Sequence, residues 1–256
     1  MAQNTNIQWT DVTWNVAVGC TKIDSDCKFC YMYRDSFDGK RYNPREIRRT
    51  KTVFNLPLKI KEPSKIFTSS LTDFFHEAID PYRNEAWEII RKCPQHTFQI
   101  LTKRPERIIE NLPPFWDEIR NHVWLGTSIG SQESILRLPN LILPIMQGIK
   151  FLSLEPLHGP IDLNLSDQVD FGHKIGDLID WVIIGGESGN ENGKYRYRPC
   201  QIEWIESIVS QCQEYGIAIF VKQMGTHLAK EMKMTDRHGG NIEEFPKHLQ
   251  IRQFPH

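Results

Sequence analysis

The chain has 256 residues, of which 39% are hydrophobic and 25% are charged, a composition typical of a globular protein with a sizeable core. Its formal net charge of −1 argues against a protein whose whole surface binds nucleic acid. The sequence has no apolar run of about 18 residues and no signal-peptide pattern, so we expect a cytoplasmic protein without membrane contact.

Short runs rich in β-branched and aromatic residues predict seven strands. Most of these runs are continuous rather than alternating, which is typical of strands buried on both faces of a parallel sheet. The first strand is expected within residues 9–18, just before Cys20. The other predicted strands cover residues 65–69, 98–101, 123–127, 150–154, 181–184 and 217–222.

Helical patterns lie between the predicted strands. Residues 81–92 follow Asp80 as an expected N-cap, and residues 202–215 carry an apolar face that ends at Gly216. Shorter helices are expected at residues 105–111 and 132–138. The alternation predicts an α/β fold, a complete or partial (β/α) barrel over residues 1–231, with residues 232–256 as an irregular extension packed on it.

Polar side chains or glycines follow nearly every predicted strand. In β/α barrels the chemistry gathers at the carboxyl edge of the strands, so these residues are candidates for binding a polar ligand. Each of them taken alone also fits an ordinary turn or cap. The candidates are Ser70, Asp73, Lys103, Thr127, Ser128, Glu155, Gly185, Gly186 and Glu187.

The Gly185-Gly186-Glu187 loop is the most specific of these candidates. Two glycines let the backbone approach a ligand closely, and the carboxylate that follows can bind an ammonium or a ribose hydroxyl. Glu155 precedes Pro156, which favours an extended backbone and a fixed side-chain direction. We therefore expect Glu155 to contact ribose or substrate.

Three of the six cysteines, Cys20, Cys27 and Cys30, lie within eleven residues. In a chain of this size, clustered cysteines bind metal or do chemistry more often than they form disulfides. The spacing is compatible with a [4Fe-4S] cluster that leaves one iron open, or with a zinc site completed by His76 or His158. Three unligated cysteines are the remaining alternative.

Two features favour iron over zinc. The cysteines follow the first predicted strand of a β/α series, and an aromatic residue, Phe29, immediately precedes Cys30. The remaining cysteines, Cys93, Cys200 and Cys212, are scattered, and burial as small side chains is the simpler interpretation for each of them.

This combination resembles the radical S-adenosylmethionine superfamily, whose usual pattern is Cys-x3-Cys-x-aromatic-Cys after the first barrel strand. The second half matches at Cys27, Phe29 and Cys30, whereas six residues instead of three separate Cys20 from Cys27. More of the chain is similar to the phage-associated three-cysteine-motif family of unknown substrate, itself distantly similar to spore photoproduct lyase. That family's pattern has an acidic residue where this chain has Gly130. The matching segments are 7–11, 14–15, 19–20, 27–31, 71–76, 101–106, 124–128, 152–156, 182–189 and 221–225.

The resemblance implies that the open iron binds the amino and carboxylate groups of S-adenosylmethionine. Reduction by an electron donor would then give a 5′-deoxyadenosyl radical that abstracts hydrogen from a substrate. The resemblance also places the backbone of Phe29 near the adenine and Ser70 and Asp73 near the amino group. A separately encoded partner protein fits this family pattern.

Two further residues are candidates for the chemistry on the substrate. Tyr197 and Cys200 follow the Gly-Gly-Glu loop, and tyrosine and thiol side chains can relay hydrogen atoms, as the distant likeness to the lyase suggests. They are the predicted catalytic residues.

The segment 40–65 suggests a nucleic acid or nucleotide as substrate. It holds nine basic and two acidic residues, a local balance of +7, and Tyr42 and Phe54 could stack on bases. A solvated basic stretch is the simpler alternative. A non-catalytic Fe–S or zinc module that binds nucleic acid or a protein is the second functional hypothesis. A zinc hydrolase with Glu155 or Glu187 as base lacks the His-Glu-x-x-His spacing.

Overall fold

The computed structural model describes residues 5–34, 43–143, 147–169 and 172–255. Its centre is a sheet of seven parallel strands that curls into a half-barrel, so the predicted partial (β/α) barrel is confirmed. In spatial order the strands are β1 (Val12–Trp14), β4 (Lys65–Thr68), β5 (Thr97–Thr102), β6 (Val123–Ser128), β7 (Lys150–Leu157), β8 (Trp181–Gly186) and β9 (Ala218–Gln223).

A second, two-stranded sheet lies at the start of the chain. β2 (Ala17–Val18) pairs antiparallel with β3 (Arg48–Arg49), so the segments before and after the cysteine motif are joined. In the seven-stranded sheet, neighbouring strands pair in parallel, and β1 and β9 stand at its two ends. Every predicted strand overlaps an observed one. β7 and β8 continue further toward the carboxyl edge than predicted.

The crossovers differ in their helical content. The α-helices are α1 (Asp80–Arg91), α2 (Trp116–Ile119), α3 (Leu138–Ile142), α4 (Ile202–Glu214) and α5 (Gly225–Glu231). Asp80 is the first residue of α1 rather than its predicted N-cap, a position that Ile79 takes. The segments predicted as helices at 105–111 and 132–138 form mainly 3₁₀ turns.

Two crossovers differ from the expected alternation of strand and helix. Within the described residues, the connections from β1 to β4 and from β7 to β8 contain no α-helix. The first connection carries the cysteine motif and the small sheet. The second follows Leu157, the last residue of β7, and has Gly159 and Pro160 near its start, both of which oppose helix formation.

Hydrophobic residues cover both faces of the sheet. The larger cluster packs the outer face against the helices, with Trp87 of α1 and Ile205 of α4 fully buried. A smaller, mostly aromatic cluster fills the inner face and includes Trp9, Phe67, Phe151, Trp181, Ile183 and Phe220. This inner cluster closes the floor of the half-barrel and leaves polar groups at the carboxyl edge.

The C-terminal tail packs along the exposed side of β9. Val221 donates its backbone N–H to Ile251 O at 2.9 Å, and Gln253 N donates to Ile219 O at 2.7 Å. The half-buried Phe254 contacts the inner cluster, with its ring centroid 5.3 Å from that of Trp181. These contacts join residues 251–254 to the barrel. The predicted division between residues 231 and 232 stays a prediction.

None of the helices in the described ranges combines the length and the apolar character needed to cross a membrane.

Gly126 is a test of how tightly the inner face is packed. A Cβ atom at Gly126 of β6 would lie 2.6 Å from the buried ring of Phe151. We expect Gly126→Ala to lower the free energy of unfolding by about 1–3 kcal/mol because the ring must move against its neighbours.

The matched control for this substitution is Gly159→Ala, since a Cβ atom there would meet nothing within 4 Å. Urea denaturation of both variants measures the difference. Equal midpoints for Gly126→Ala and the unsubstituted protein would show that the inner face has room to spare.

Candidate functional site

The three clustered cysteines lie at the carboxyl edge of the sheet. Gly19 precedes them with φ 110°, a left-handed conformation that favours glycine, and a Cβ there would lie 2.4 Å from Glu46 O. Cys20 donates its backbone N–H to Pro44 O at 2.9 Å. Cys27 ends a 3₁₀ turn, Ser25–Cys27, and Cys30 precedes a second turn. All three are free thiols.

The three thiols are close enough to influence one another electrostatically. Burial raises the pKa of Cys20 to about 12, and the Asp73 carboxylate and the other two thiols add to this effect. Burial also raises the pKa of Cys30. At Cys20 and Cys30 the protein environment therefore favours the neutral thiol, and nearby positive charge, such as that of a metal group, would favour the thiolate. Three free cysteine sulfurs are also the donor set that an iron–sulfur cluster with one open iron requires.

A buried ion pair holds the start of the cysteine loop. Arg104 follows β5 and binds Asp73 Oδ2 at 3.1 Å, and both side chains are at least 92% buried. The same guanidinium donates to the backbone oxygen of Thr21 at 3.1 Å and to its hydroxyl at 2.9 Å. The residue after Cys20 is thus fixed to the ends of two strands.

A second buried carboxylate lies at the other end of the loop. The side chain of Asp26 is 1% exposed and lies within hydrogen-bond distance of His158 Nε2, at 2.8 Å. Arg137 Nη1 donates to its other oxygen at 3.0 Å, and Gly130 N does so at 3.2 Å. Burial acts to raise the pKa of Asp26, but the interactions with His158, Ser134 and the Gly130 N–H, together with the charge of Lys103, lower it below its usual value.

A third ion pair reaches the loop from the end of β8. Arg198 binds the buried Glu187 through Nε at 2.8 Å and Nη2 at 2.9 Å. Its Nη1 donates to Ser25 O at 2.8 Å. Glu187, predicted as a ribose or substrate contact, therefore pairs with an arginine that holds the cysteine loop.

The ring of Phe29 is surrounded by basic side chains. The guanidinium carbons of Arg196 and Arg198 lie 6.0 and 5.9 Å from the ring centroid, and Lys28 Nζ lies 5.3 Å from it. The mouth beside the cysteines is therefore positively charged on this side. Contact of the Phe29 backbone with an adenine stays a prediction.

The polar residues at the ends of β4 and β5 bind one another. Asp73 Oδ1 accepts hydrogen bonds from Thr102 Oγ1 at 2.6 Å and from Phe75 N at 3.0 Å. Its Oδ2 accepts from Lys103 N at 3.0 Å in addition to Arg104. Both oxygens of Asp73 are thus already used within the protein. The predicted contact of Asp73 with an amino group is untested. In such a contact, the amino group would have to share these oxygens with their present partners.

Ser70 has a more open environment than Asp73. Asn15 Nδ2 donates to Ser70 Oγ at 3.1 Å, and the hydroxyl of Tyr31 donates to Ser70 O. Ser70 is half-buried, so its hydroxyl stays a candidate ligand contact.

The end of β6 holds two of the candidates in the protein interior. Thr127 is fully buried and donates its hydroxyl to Thr102 O at 2.9 Å. Ser128 is also buried, and its backbone oxygen accepts from Arg137 at 2.7 Å. Their predicted contact with a cofactor stays untested.

The ends of β7, β8 and β9 meet at the mouth. Glu155 forms a salt bridge with Lys222, and both side chains are less than 20% exposed. A Cβ at Gly186 would lie 2.2 Å from Met224 O, whereas one at Gly185 would meet its nearest neighbour, Gln223, at 3.2 Å. Packing against β9 therefore requires the second glycine. The close approach of a ligand at these glycines stays a prediction.

Three residues at this edge, Tyr31, Ser69 and Thr72, are not among the residues predicted to form the site. Tyr31 follows Cys30, is 37% exposed, and donates its hydroxyl to Ser70 O. Ser69 has φ 71°, unusual for a residue with a side chain. Its hydroxyl and that of Thr72 are buried without a hydrogen-bond partner among the described residues. Such hydroxyls fit a polar ligand.

The two predicted relay residues lie in different environments. Cys200 is fully buried in the outer core, and burial raises its pKa to about 12. Tyr197 donates to Glu191 at 2.7 Å and accepts from Lys230 at 3.0 Å near the surface. Their predicted catalytic role is untested, and the structure shows no shared contact between them in the described residues.

Both histidines proposed to complete a zinc site have protein partners. His76 Nδ1 accepts from Ala78 N at 3.1 Å, and its Nε2 lies 2.9 Å from Thr21 Oγ1. His158 Nε2 lies 2.8 Å from Asp26. In the described part of the chain, no set of three or more His, Cys, Asp or Glu side chains is arranged around one metal ion. A [4Fe-4S] cluster does not require its cysteines to surround one metal ion, because each thiolate binds a different iron.

The basic segment includes one residue whose predicted role is wrong. Phe54 is fully buried, and the Arg49 guanidinium lies 3.8 Å from its ring centroid, so the ring cannot stack on a base. The ring is apolar and packs into the outer core, because contact with apolar neighbours is more favourable than exposure to water. Residues 40–42, including Tyr42, lie outside the described ranges.

The basic segment also extends beyond the mouth. Pro44 contacts Cys20 at the carboxyl edge, whereas Lys65 begins β4 at the opposite edge. Its charges are thus spread along the outside of the sheet.

A family model described as "Protein of unknown function (DUF5131)" matches residues 4–248. The chain belongs to this family. The DUF5131 chain also resembles solved structures of spore photoproduct lyase. One is a double mutant with bound AdoMet and dinucleoside spore photoproduct, with a TM-score of 0.52 and 9% identity. Another is a single mutant, with a TM-score of 0.50 and 13% identity.

Each of these alignments covers 84% of the DUF5131 chain and 75% of the lyase chain. At such low identity the likeness concerns the fold. No curated protein sequence matches the chain. Phage association stays a prediction.

The buried Glu187–Arg198 pair provides a test of the site's architecture. We expect Arg198→Met to lower the free energy of unfolding by about 2–4 kcal/mol, because it leaves a buried carboxylate unpaired. Chemical denaturation at neutral pH measures the loss.

Arg196→Met is the matched control, since Arg196 is exposed and flanks the same Phe29 ring. Its effect should stay within about 0.5 kcal/mol. The double variant Glu187→Gln, Arg198→Met should recover part of the loss, and equal effects of both single arginine variants would contradict the proposed importance of the pair.

Proposed function

We propose that the protein is a radical S-adenosylmethionine enzyme that holds a [4Fe-4S] cluster on Cys20, Cys27 and Cys30. The observation that carries the proposal is the position of three free thiols at the carboxyl edge of a parallel half-barrel. The same fold binds AdoMet in the spore photoproduct lyase structure. When bound, these cofactors supply the one-electron cleavage that yields a 5′-deoxyadenosyl radical for hydrogen abstraction from a substrate.

The chain's own residues would bind and orient these groups. The three thiolates would supply three ligands, and the hydroxyls of Ser69 and Ser70, which follow β4, are the proposed contacts of the amino group. Asp73 acts mainly by fixing Arg104 and Lys103, since its oxygens accept hydrogen bonds from both. The contribution of Asp73 is therefore to shape the site.

The opposite side of the mouth offers charged groups for the ribose or the substrate. Glu155 and Lys222 form a half-buried ion pair there, near Tyr31. Gly185 at the end of β8 is a proposed part of this lining, whereas Lys103 belongs to the side of Asp73, which accepts its backbone N–H. Contacts of Thr127, Ser128 and Gly186 with a cofactor stay predictions. The inner aromatic cluster excludes water from below the site.

Iron is favoured over zinc by the state of the two histidines. His76 and His158 would have to give up hydrogen bonds to Thr21 and Asp26 before either could complete a tetrahedral site. Breaking a buried hydrogen bond leaves a costly unpaired group. A non-catalytic Fe–S module is the alternative, and it differs by making no 5′-deoxyadenosine.

A nucleic acid or nucleotide is the proposed substrate class. Lys28, Arg196 and Arg198 beside Phe29 offer positive charge and an aromatic face at the mouth. The basic segment 43–65 continues this charge along the outside. An external electron donor is needed for the one-electron step, and a separately encoded partner protein could provide it.

The decisive test is cofactor cleavage. Anaerobically reconstituted protein with dithionite should convert S-adenosylmethionine to 5′-deoxyadenosine, and Cys30→Ala should lose this activity because a cluster ligand is missing. Chromatographic measurement of 5′-deoxyadenosine and metal analysis of both proteins provide the readout.

Cys93→Ala is the matched control, as Cys93 is a buried cysteine in the outer core. It should retain iron and activity. Stoichiometric zinc in the unsubstituted protein, or iron without any product, would reject the enzymatic proposal.

A further inference from the structure

We propose that Asp26 is a positioning residue that fixes Cys27 before any metal arrives, so that the six-residue loop is a preformed holder for the cluster. This inference rests on the proposed function for its metal-binding part. It concerns a residue that contacts neither substrate nor reacting atoms and acts through its neighbour.

Asp26 and Cys27 share one short turn. Asp24 Oδ1 accepts the backbone N–H of Asp26 at 2.9 Å, and Cys27 N donates to Asp24 O at 3.2 Å. The turn Ser25–Cys27 is therefore closed by its own residues. Because the two residues are adjacent within it, any shift of Asp26 moves the backbone of Cys27.

The buried carboxylate of Asp26 is held in position by the groups that bind its two oxygens. Burying a carboxylate is costly unless it is paired and hydrogen-bonded. Arg137 Nη1 and Gly130 N supply partners for one oxygen at 3.0 and 3.2 Å, and His158 Nε2 lies 2.8 Å from the other. These groups follow β6 and β7, so they attach the cysteine loop to the rigid sheet.

Gly130 provides the space for this carboxylate. A Cβ atom at Gly130 would lie 2.9 Å from Cγ and Oδ1 of Asp26 and 2.6 Å from Pro156 O. Because Gly130 has no side chain, the Asp26 carboxylate of the cysteine loop can pack directly against the Gly130 backbone. The two positions are matched, although 104 residues separate them in the chain.

The turn that carries Asp26 has a further protein partner. Arg198 holds the same turn through Ser25 O. All these partners are protein groups, so the arrangement does not need the metal to form.

The first arm of the test uses metal-free protein. Alkylation of each cysteine by iodoacetamide is followed by peptide mass spectrometry in Asp26→Asn, Asp26→Ala and Gly130→Ala. Cys27 should react several-fold faster in all three variants than in the unsubstituted protein. Cys93, which is 1% exposed, should keep its rate and serves as the internal measure of folding.

Asp177→Asn is the matched control, because Asp177 caps a turn at the opposite edge of the sheet through a 2.9 Å bond from Lys174 N. It should leave Cys27 unchanged. If Asp26→Ala unfolds and exposes Cys93, the shape-preserving Asp26→Asn decides the question. An unchanged Cys27 rate in a folded Asp26→Asn protein would overturn the proposal.

The second arm uses reconstituted protein. Loss of iron to a chelator should be about tenfold to a hundredfold faster in Asp26→Asn, as is typical when an outer-shell partner is removed. The electron paramagnetic resonance spectrum and midpoint potential of the retained cluster should also shift. A lower melting temperature with an unchanged spectrum and iron-loss rate would mean a merely structural role, and would overturn the proposal.

The two arms separate this inference from the proposed function. An unsubstituted protein that takes up no iron rejects the cluster, while the alkylation rates still show whether Asp26 holds Cys27.

Discussion

Buried carboxylates at the carboxyl edge of the sheet determine how the candidate site is built. A carboxylate removed from water must meet positive or hydrogen-bonding partners, and it is stable where those partners converge. Asp73, Asp26 and Glu187 each satisfy this requirement with an arginine. Each arginine also donates to, or shares a network with, the loop that carries the cysteines. The position of the thiols thus follows from charge burial in three separate crossovers.

The strands were predictable because they are buried on both faces. Strands buried in this way appear in the sequence as continuous runs of apolar residues. The helices α1 and α4 were predictable for the related reason that one face of each meets the sheet. The crossovers without an α-helix were not predictable from alternation alone. Their prolines and glycines mark irregular structure but do not say where the backbone runs.

The polar strand ends show where a single sequence reaches its limit. The sequence predicted that these residues would meet at one edge, and they do. It did not show that the carboxylates of Asp73 and Glu187 would pair with Arg104 and Arg198 instead of remaining free to bind a ligand. Asp26 and its partners Arg137 and His158 lie 111 and 132 residues apart in the chain, and nothing local links them. The prediction for Phe54 was wrong because the sequence around it is rich in lysine and arginine. That local composition indicated an exposed surface, whereas the ring belongs to the core.

The half-barrel has one further consequence, which follows from β1 and β9 standing at opposite ends of the sheet. The ring of strands is therefore not closed by backbone pairing between its first and last members. Part of that opening is covered by the tail, whose Phe254 ring lies beside Trp181 of β8 and has Lys65 Nζ of β4 at 4.9 Å from its centroid. The end of the chain thus takes the place that a further strand would have in a complete barrel.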